Sequence, residues 1–337
     1  MAIKVAINGF GRIGRLVFRI MDDDPTFEIV AINDVSKAED LAYLLKYDTV
    51  HGRYKEDAIS VDDENIIIGD KKVKVLAERD PSNLPLKELG VDIVFECSGV
   101  FTSKEKASAH IKAGAKKVII SAPAGKDLKT IVYNVNHQDL TGEEEIISAA
   151  SCTTNCLAPI LKVLDDNFEI KKGFMTTVHA YTNDQVTLDV AHNKGIYSRR
   201  GRTAASNIVP TSTGAASAVG LVIPNLDGKL DGTALRVPVH NGSAVDLVLE
   251  LGKEVSKEDI NNAFKNSINE TLEYTEDPVV SSDIIGTHYG ALVDGLSTNV
   301  LDTESGQLVK VLGWYDNEMG YSAQMVKLAK YIIQINK

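Results

Sequence analysis

Near the N-terminus, Ile3, Val5 and Ile7 alternate with Lys4, Ala6 and Asn8, then give way to Gly9-Phe10-Gly11-Arg12-Ile13-Gly14. The alternation suits a strand with one buried side. Past the glycines, Ile13, Leu16, Val17 and Ile20 recur at helical spacing, and Asp22-Asp23-Asp24-Pro25 ends that helix. A strand, a glycine-rich turn and a helix in that order form a nucleotide-binding fingerprint. Gly9 permits the tight turn, Gly11 lets a pyrophosphate approach the backbone, and Gly14 allows close helix–strand packing. The helix N-terminus offers unpaired N–H groups to the phosphates. Residues 28–32 read as a second strand and close a βαβ unit. Asp34, at its end, can accept hydrogen bonds from a ribose 2′-hydroxyl and repels a 2′-phosphate, which favours NAD over NADP.

Further strands are expected at 72–76, 92–96, 117–120 and 145–148, with a helix at 104–112. Strands alternating with helical stretches predict a doubly wound α/β sheet of the Rossmann type. Past residue 150 the texture changes. Longer strands are expected at 172–179, 232–239 and 243–251, and helices at 257–273 and 318–335. The domain boundary falls near Ala150, and residues 193–202, rich in glycine and arginine, read as a functional loop.

With 337 residues the chain has room for two domains with a core in each. Its net charge of −11 works against binding nucleic acid or an anionic membrane surface, so an anionic substrate needs a local basic pocket. The three cysteines, Cys97, Cys152 and Cys156, form no disulfide framework and fit a reducing cytoplasm. No apolar run is long enough for a spanning helix, and no signal-peptide pattern opens the chain.

Ser151-Cys152-Thr153-Thr154-Asn155-Cys156 precedes an apolar helical stripe, Leu157, Ile160, Leu161, Leu164 and Phe168. A cysteine at a helix N-terminus feels the positive end of the dipole, which lowers its pKa. Pro159 implies that the helix bends or that its regular part starts later. Cys156 is expected to pack inward, a redox pair with Cys152 being the other reading. No metal site is expected, because a second pair of ligands at suitable spacing is missing. His179 follows a strand-like stretch, and a cysteine nucleophile needs such a base nearby.

These stretches closely resemble the phosphorylating glyceraldehyde-3-phosphate dehydrogenases. The resemblance runs end to end through residues 7–15, 151–159 and 177–182, then Ser212-Thr213-Gly214-Ala215-Ala216, Arg236-Val237-Pro238 and Trp314-Tyr315-Asp316-Asn317-Glu318. It implies NAD as cofactor, Cys152 as nucleophile and His179 as base. It implies that Thr182 and Arg236, with Arg200 nearby, hold the substrate's phosphate. Ser151, Thr153, Thr213 and Gly214 would meet incoming inorganic phosphate. Arg12 and Ile13 would hold the pyrophosphate beside Gly9, Gly11 and Gly14, with Asp34 on the ribose, Arg79 and Ser121 on the adenosine side, and Asn317 on the nicotinamide amide. The implied organisation is a Rossmann domain over 1–150, completed by a C-terminal helix 318–337. A catalytic α+β domain with a large, mainly antiparallel sheet would span 151–317. The implied assembly is a cytoplasmic homotetramer in which the loop 183–202 reaches a neighbour's cofactor.

Three features depart from the family pattern. Val190-Ala191 stands where Leu-Pro is common. The loop 192–202 is longer than usual, so Arg199, Arg200 and Arg202 compete to face the substrate. Ser217 replaces a common lysine. The implied reaction is oxidation of D-glyceraldehyde 3-phosphate to 1,3-bisphosphoglycerate through a thioester on Cys152. Alternatives are erythrose-4-phosphate dehydrogenase, an aspartate-semialdehyde-type dehydrogenase, which the 151–156 stretch disfavours, and a nucleotide-binding redox sensor without turnover.

Overall fold

The computed structural model describes residues 2–195 and 197–335. Ile196, within the expected functional loop, Met1, and residues 336–337 of the expected C-terminal helix lie outside them. The chain divides into two compact units, one running through Ser151 and resuming at Ser322, the other Cys152–Tyr321.

The first unit contains β1 (Ile3–Asn8), α1 (Arg12–Asp22), β2 (Phe27–Asn33), α2 (Ala38–Lys46), the short β3 (Tyr47–Asp48) and β4 (Gly52–Arg53), β5 (Ile59–Asp62), β6 (Asn65–Ile68) and β7 (Lys71–Leu76). It continues with α3 (Leu86–Leu89), β8 (Ile93–Glu96), α4 (Lys104–Lys112), β9 (Lys117–Ile120) and β10 (Ile146–Ser148). An eight-stranded sheet has the order β10-β9-β8-β1-β2-β7-β6-β5. The six strands from β10 to β7 are parallel neighbours, and their order is that of a Rossmann sheet. β6 and β5 extend one edge as antiparallel strands, 65–68 and 59–62, that the sequence reading lacked. Their apolar content is three or fewer residues each, too short a pattern to separate from a turn.

Register fixes the cleft. Asn8 lies level with Asn33 on one side and with Glu96 on the other. These are the carboxyl ends of the central strands, where open α/β sheets bind ligands. Ser103 caps α4 by accepting the Lys106 N–H at 3.3 Å. The C-terminal helix α8 (Met319–Ile335) contributes its later turns to this unit, where Tyr331 meets the His137 ring at 4.6 Å and Lys330 pairs with Asp24 at 2.5 Å.

The second unit begins with α5 (Cys152–Phe168), β11 (Ile170–Ala180), β12 (Val209–Ser212), α6 (Ala215–Val222), β13 (Leu230–Val237) and β14 (Ser243–Leu251). α7 (Lys257–Lys265), β15 (Leu272–Thr275), β16 (Ala291–Thr303) and β17 (Gly306–Tyr315) follow. Its seven-stranded sheet has the order β12-β13-β11-β14-β17-β16-β15 and is mixed. β11–β13 and β15–β16 are parallel, and the other four pairs are antiparallel. α5 lays Leu157, Ile160, Leu161 and Leu164 on one sheet face, against Val245, Leu247, Leu249, Val309 and Val311. Each such buried side chain contributes about 1.5–3 kcal/mol.

Two points differ from or narrow the expectations. α5 starts at Cys152 and runs on past Pro159, so its regular part does not begin later. Proline removes one intrahelical bond, to the Asn155 carbonyl, and burial of the apolar stripe outweighs that loss. The expected helix 257–273 stops at Lys265 and residues 272–275 are a strand. The Ser256–Asp259 capping box starts it as the pattern suggests. It ends at the C-cap Asn266, and beyond it the Asn269 side chain accepts the Thr271 and Leu272 N–H groups at 2.8 and 3.1 Å in the turn into β15. Such local side-chain bonds compete with the helix.

Candidate active site

At the dinucleotide turn, Gly9 adopts φ +89°, and a Cβ there would sit 2.5 Å from the Ser98 backbone. A Cβ on Gly14 would lie 2.1 Å from the Gly9 carbonyl oxygen, whereas one on Gly11 would meet nothing within 4 Å. The turn is thus packed from beneath and open above Gly11, the shape a pyrophosphate needs. A cavity of about 450 Å³ opens over it, walled by Gly9, Gly11, Asp34, Arg79, Ser98 and Phe101. Asp34 accepts the Phe10 and Ser36 N–H groups at 2.9 and 3.0 Å, which fixes its carboxylate at the rim. Arg79 is exposed at the same rim, and Ser121 is held by its N–H to the Glu96 carbonyl at 2.9 Å. Arg12 is engaged by Asp48, and Ile13 is half-buried beside it on α1.

Beneath this cavity runs a buried polar chain. Glu96 accepts from Asn8 Nδ2 at 2.5 Å and meets His110 Nε2 at 2.8 Å, while Asn33 Nδ2 donates to Asn8 Oδ1 at 2.7 Å. Sequence reading missed Glu96, His110 and Asn33, because a polar residue at a strand end looks like surface until the register stacks three together.

In the second unit Cys152 opens α5 and His179 closes β11. Cys152 Sγ lies 3.4 Å from His179 Nε2. His179 is 4% exposed. Its Nδ1 lies 2.6 Å from the Ala180 carbonyl oxygen, which assigns the proton to Nδ1 and leaves an Nε2 lone pair facing the thiol. Burial, then the Arg236 charge, push His179 down to about 4. The parallel register pairs His179 with Arg236 across β11 and β13. Arg236 Nη1 lies 3.0 Å from Nδ1, but with that nitrogen protonated the guanidinium donates to the Ala180 oxygen and to Thr182 Oγ1, each at 3.0 Å.

The thiol departs from expectation. Burial raises the Cys152 pKa, and the opposing influences of Arg236, of the Thr153 hydroxyl and of the Thr153 and Cys152 N–H groups are smaller. Burial thus works against charge on both members of the pair, raising the thiol and lowering the imidazole. Cys156 is wholly buried in the core, with Sγ 3.8 Å from the Trp314 carbonyl oxygen, and burial raises its thiol as well. Both cysteines are free thiols.

Asp184 is the residue that sequence reading missed in this cluster. It accepts from Thr182 Oγ1 and pairs with Arg200, so Arg236, Thr182, Asp184 and Arg200 form one continuous chain. That separates the three loop arginines. Arg200 joins the chain, Arg202 pairs with Asp189 at 2.7 Å, and Arg199 is exposed. Asp184 lies two residues past Thr182, and that nearness to an expected phosphate-site residue was the available signal.

Thr153 Oγ1 lies 2.9 Å from the Tyr315 hydroxyl, and both its hydroxyl and its backbone N–H bear on the Cys152 thiol. Tyr315 also meets Thr177 Oγ1 at 2.9 Å and packs edge-on to the His179 ring. Thr213 Oγ1 accepts the Ala215 N–H at 3.2 Å, and Gly214 caps α6. Ser151 immediately precedes the helix that Cys152 starts. Ser217 donates back to the Gly214 carbonyl at 3.0 Å. Asn317 is 5% exposed and bonded to Ser243 at 2.7 Å. A cavity of about 520 Å³ runs past Arg199, Arg200, Ser212 and Thr233, but neither Cys152 nor His179 lines it. Among the described residues no three His, Cys, Asp or Glu side chains gather to hold a metal ion, and no helix is long and apolar enough to cross a membrane.

Comparison with known proteins gives two family matches. Residues 3–104 match the NAD binding domain of glyceraldehyde 3-phosphate dehydrogenase, and residues 151–317 match its C-terminal domain. A glyceraldehyde-3-phosphate dehydrogenase of Clostridium pasteurianum is 57% identical over 334 residues, 99% of each chain. One of Clostridium acetobutylicum is 56% identical over the same share, and one of Streptococcus pyogenes is 53% identical over the whole of both chains.

Proposed function

The chain belongs to the glyceraldehyde-3-phosphate dehydrogenase family, and from that premise we propose that it oxidises D-glyceraldehyde 3-phosphate with NAD and inorganic phosphate to 1,3-bisphosphoglycerate, as a step of glycolysis. The observation that carries the residue assignment is the 3.4 Å approach of Cys152 Sγ to His179 Nε2, backed by the Arg236–Thr182–Asp184–Arg200 chain. The relatives are named for glyceraldehyde 3-phosphate, which does not favour the erythrose-4-phosphate reading.

Cys152 attacks the aldehyde carbon as His179 Nε2 takes the thiol proton, then returns it to the new oxygen to give a hemithioacetal. Bound NAD supplies the hydride acceptor. His179 removes the hydroxyl proton as the hemithioacetal becomes a thioester. A depressed imidazole pKa keeps Nε2 free to accept at neutral pH. The Cys152 N–H, at the start of α5, stabilises the developing oxyanion. Phosphate attack on the thioester releases the acyl phosphate, and His179 returns its proton to the departing sulfur.

Arg236, Thr182 and Arg200 grip the substrate's phosphate, since guanidinium groups bind phosphate bidentately. Ser151, Thr153, Thr213 and Gly214 receive the incoming phosphate. Gly9, Gly11, Arg12, Ile13 and Gly14 cradle the pyrophosphate, with Arg12 exchanging Asp48 for it. Asp34 takes the ribose, Arg79 and Ser121 the adenosine side, and Asn317 the nicotinamide amide. Residues 1–150 with the C-terminal helix form the cofactor domain, and 151–317 the catalytic one.

The homotetramer and the cytoplasmic location remain part of this reading. Exposed apolar pairs across the open sheet face, Phe174 beside Val248 and Leu301 beside Leu308, support a surface covered by another copy.

The test is NADH formation from NAD, glyceraldehyde 3-phosphate and phosphate, beside Cys152→Ser. Sustained, phosphate-dependent turnover that falls about 10⁴-fold or more in the variant is expected. A single burst, or turnover indifferent to phosphate, overturns the phosphorylating reading.

A further inference from the structure

Ser243, 1% exposed, opens β14 and lies opposite Tyr315 of β17. Its Oγ accepts the Ala180 N–H at 3.1 Å and donates to Asn317 Oδ1 at 2.7 Å. A serine hydroxyl has one proton, so that proton is committed to Asn317. In this arrangement Oδ1 faces Ser243, and Nδ2 faces away from it. Asn317 is more than nine-tenths buried, yet no described residue accepts a hydrogen bond from its Nδ2. The nitrogen itself is not sealed in the core, so its two unspent donors are open to an acceptor from outside the chain.

The same hydroxyl touches the peptide that holds the base. Ala180 gives its N–H to Ser243, and its carbonyl receives His179 Nδ1–H and Arg236. One serine therefore joins the orientation of His179 to that of Asn317.

We propose that Ser243 is a positioning residue for the cofactor: by holding Asn317 Oδ1 it presents the Asn317 NH₂ to a carbonyl acceptor, the carboxamide oxygen of the nicotinamide ring. This rests on the reading of Asn317 as the nicotinamide's partner. Without the serine hydroxyl no described side chain holds Oδ1, and the flipped amide presents oxygen to oxygen.

Calorimetric titration of NAD and of ADP-ribose, which lacks the nicotinamide, into wild type, Ser243→Ala and Asn317→Ala tests it. Ser243→Ala is expected to weaken NAD binding about tenfold and leave ADP-ribose binding unchanged. Retained ADP-ribose binding also shows that the variant is folded. If Asn317→Ala weakens NAD selectively while Ser243→Ala does not, the proposal fails and the reading of Asn317 survives. Equal weakening of both ligands by Ser243→Ala makes its role one of packing and overturns the proposal. If Asn317→Ala leaves NAD binding intact, the reading of Asn317 falls and the proposal with it.

Discussion

The dinucleotide turn and the Cys152–His179 cluster are built by opposite means. At the turn the decisive property is absence. Side chains are missing at Gly9, Gly11 and Gly14, so that backbone can touch backbone below and a ligand above. In the cluster the decisive property is what side chains add. Cys152 comes from a helix start, His179 and Arg236 from adjacent strands, and Thr182, Asp184 and Arg200 from the chain beyond β11. The first kind of site is broken by adding an atom, the second by removing one.

The largest effect is expected where an atom is added. Gly14→Ala puts a methyl 2.1 Å from the Gly9 carbonyl oxygen, where only backbone can yield. A loss of about 3 kcal/mol in urea unfolding and about a hundredfold weaker NAD binding are expected. Unchanged NAD affinity would break the comparison on its first side.

Removing the imidazole gives the next effect, and it has a sign. Burial and Arg236 hold His179 down at about 4, while the unfolded chain titrates near its ordinary value of about 6.5. As pH falls below about 6.5 the unfolded state takes up the proton first, so stability is lost from there down through about 4. Wild type should lose about 3 kcal/mol more than His179→Asn over that window. Parallel stability curves for the two proteins would mean that the imidazole is not held neutral.

The smallest effect sharpens the second side. Tyr315→Phe removes the oxygen shared by Thr153 and Thr177, while Thr177 keeps the Ala244 carbonyl at 3.1 Å. A loss of about 1–2 kcal/mol is expected. NADH turnover falling as far as in Cys152→Ser would instead put Tyr315 among the reacting groups.

The same contrast explains what could be read in advance. β1, the glycine turn and α1 follow from contiguous residues, since their period and their turn chemistry are local. The helix 104–112 and the strand 243–251 likewise carry their own patterns. The strand 272–275 does not, because Asn269 redirects the chain through bonds that no hydrophobic period records. Cys152 and His179 were legible as chemical types, but the upward push on the thiol was not. A helix N-terminus argues for a lowered pKa, and only packing reveals that burial is the larger influence.

By itself the sequence determined the nucleotide turn, the alternation of strands and helices before residue 150, and the presence of a thiol, a base and several arginines, because each is a property of adjacent residues or of residue type. Tertiary structure alone decided which of these meet. Strand register set His179 beside Arg236 and Ser243 beside Tyr315, and Asp184 drew Arg200 from among three candidates. Contacts between residues far apart in sequence depend on how strands pair and helices pack, and the free energy that selects that pairing belongs to the whole core.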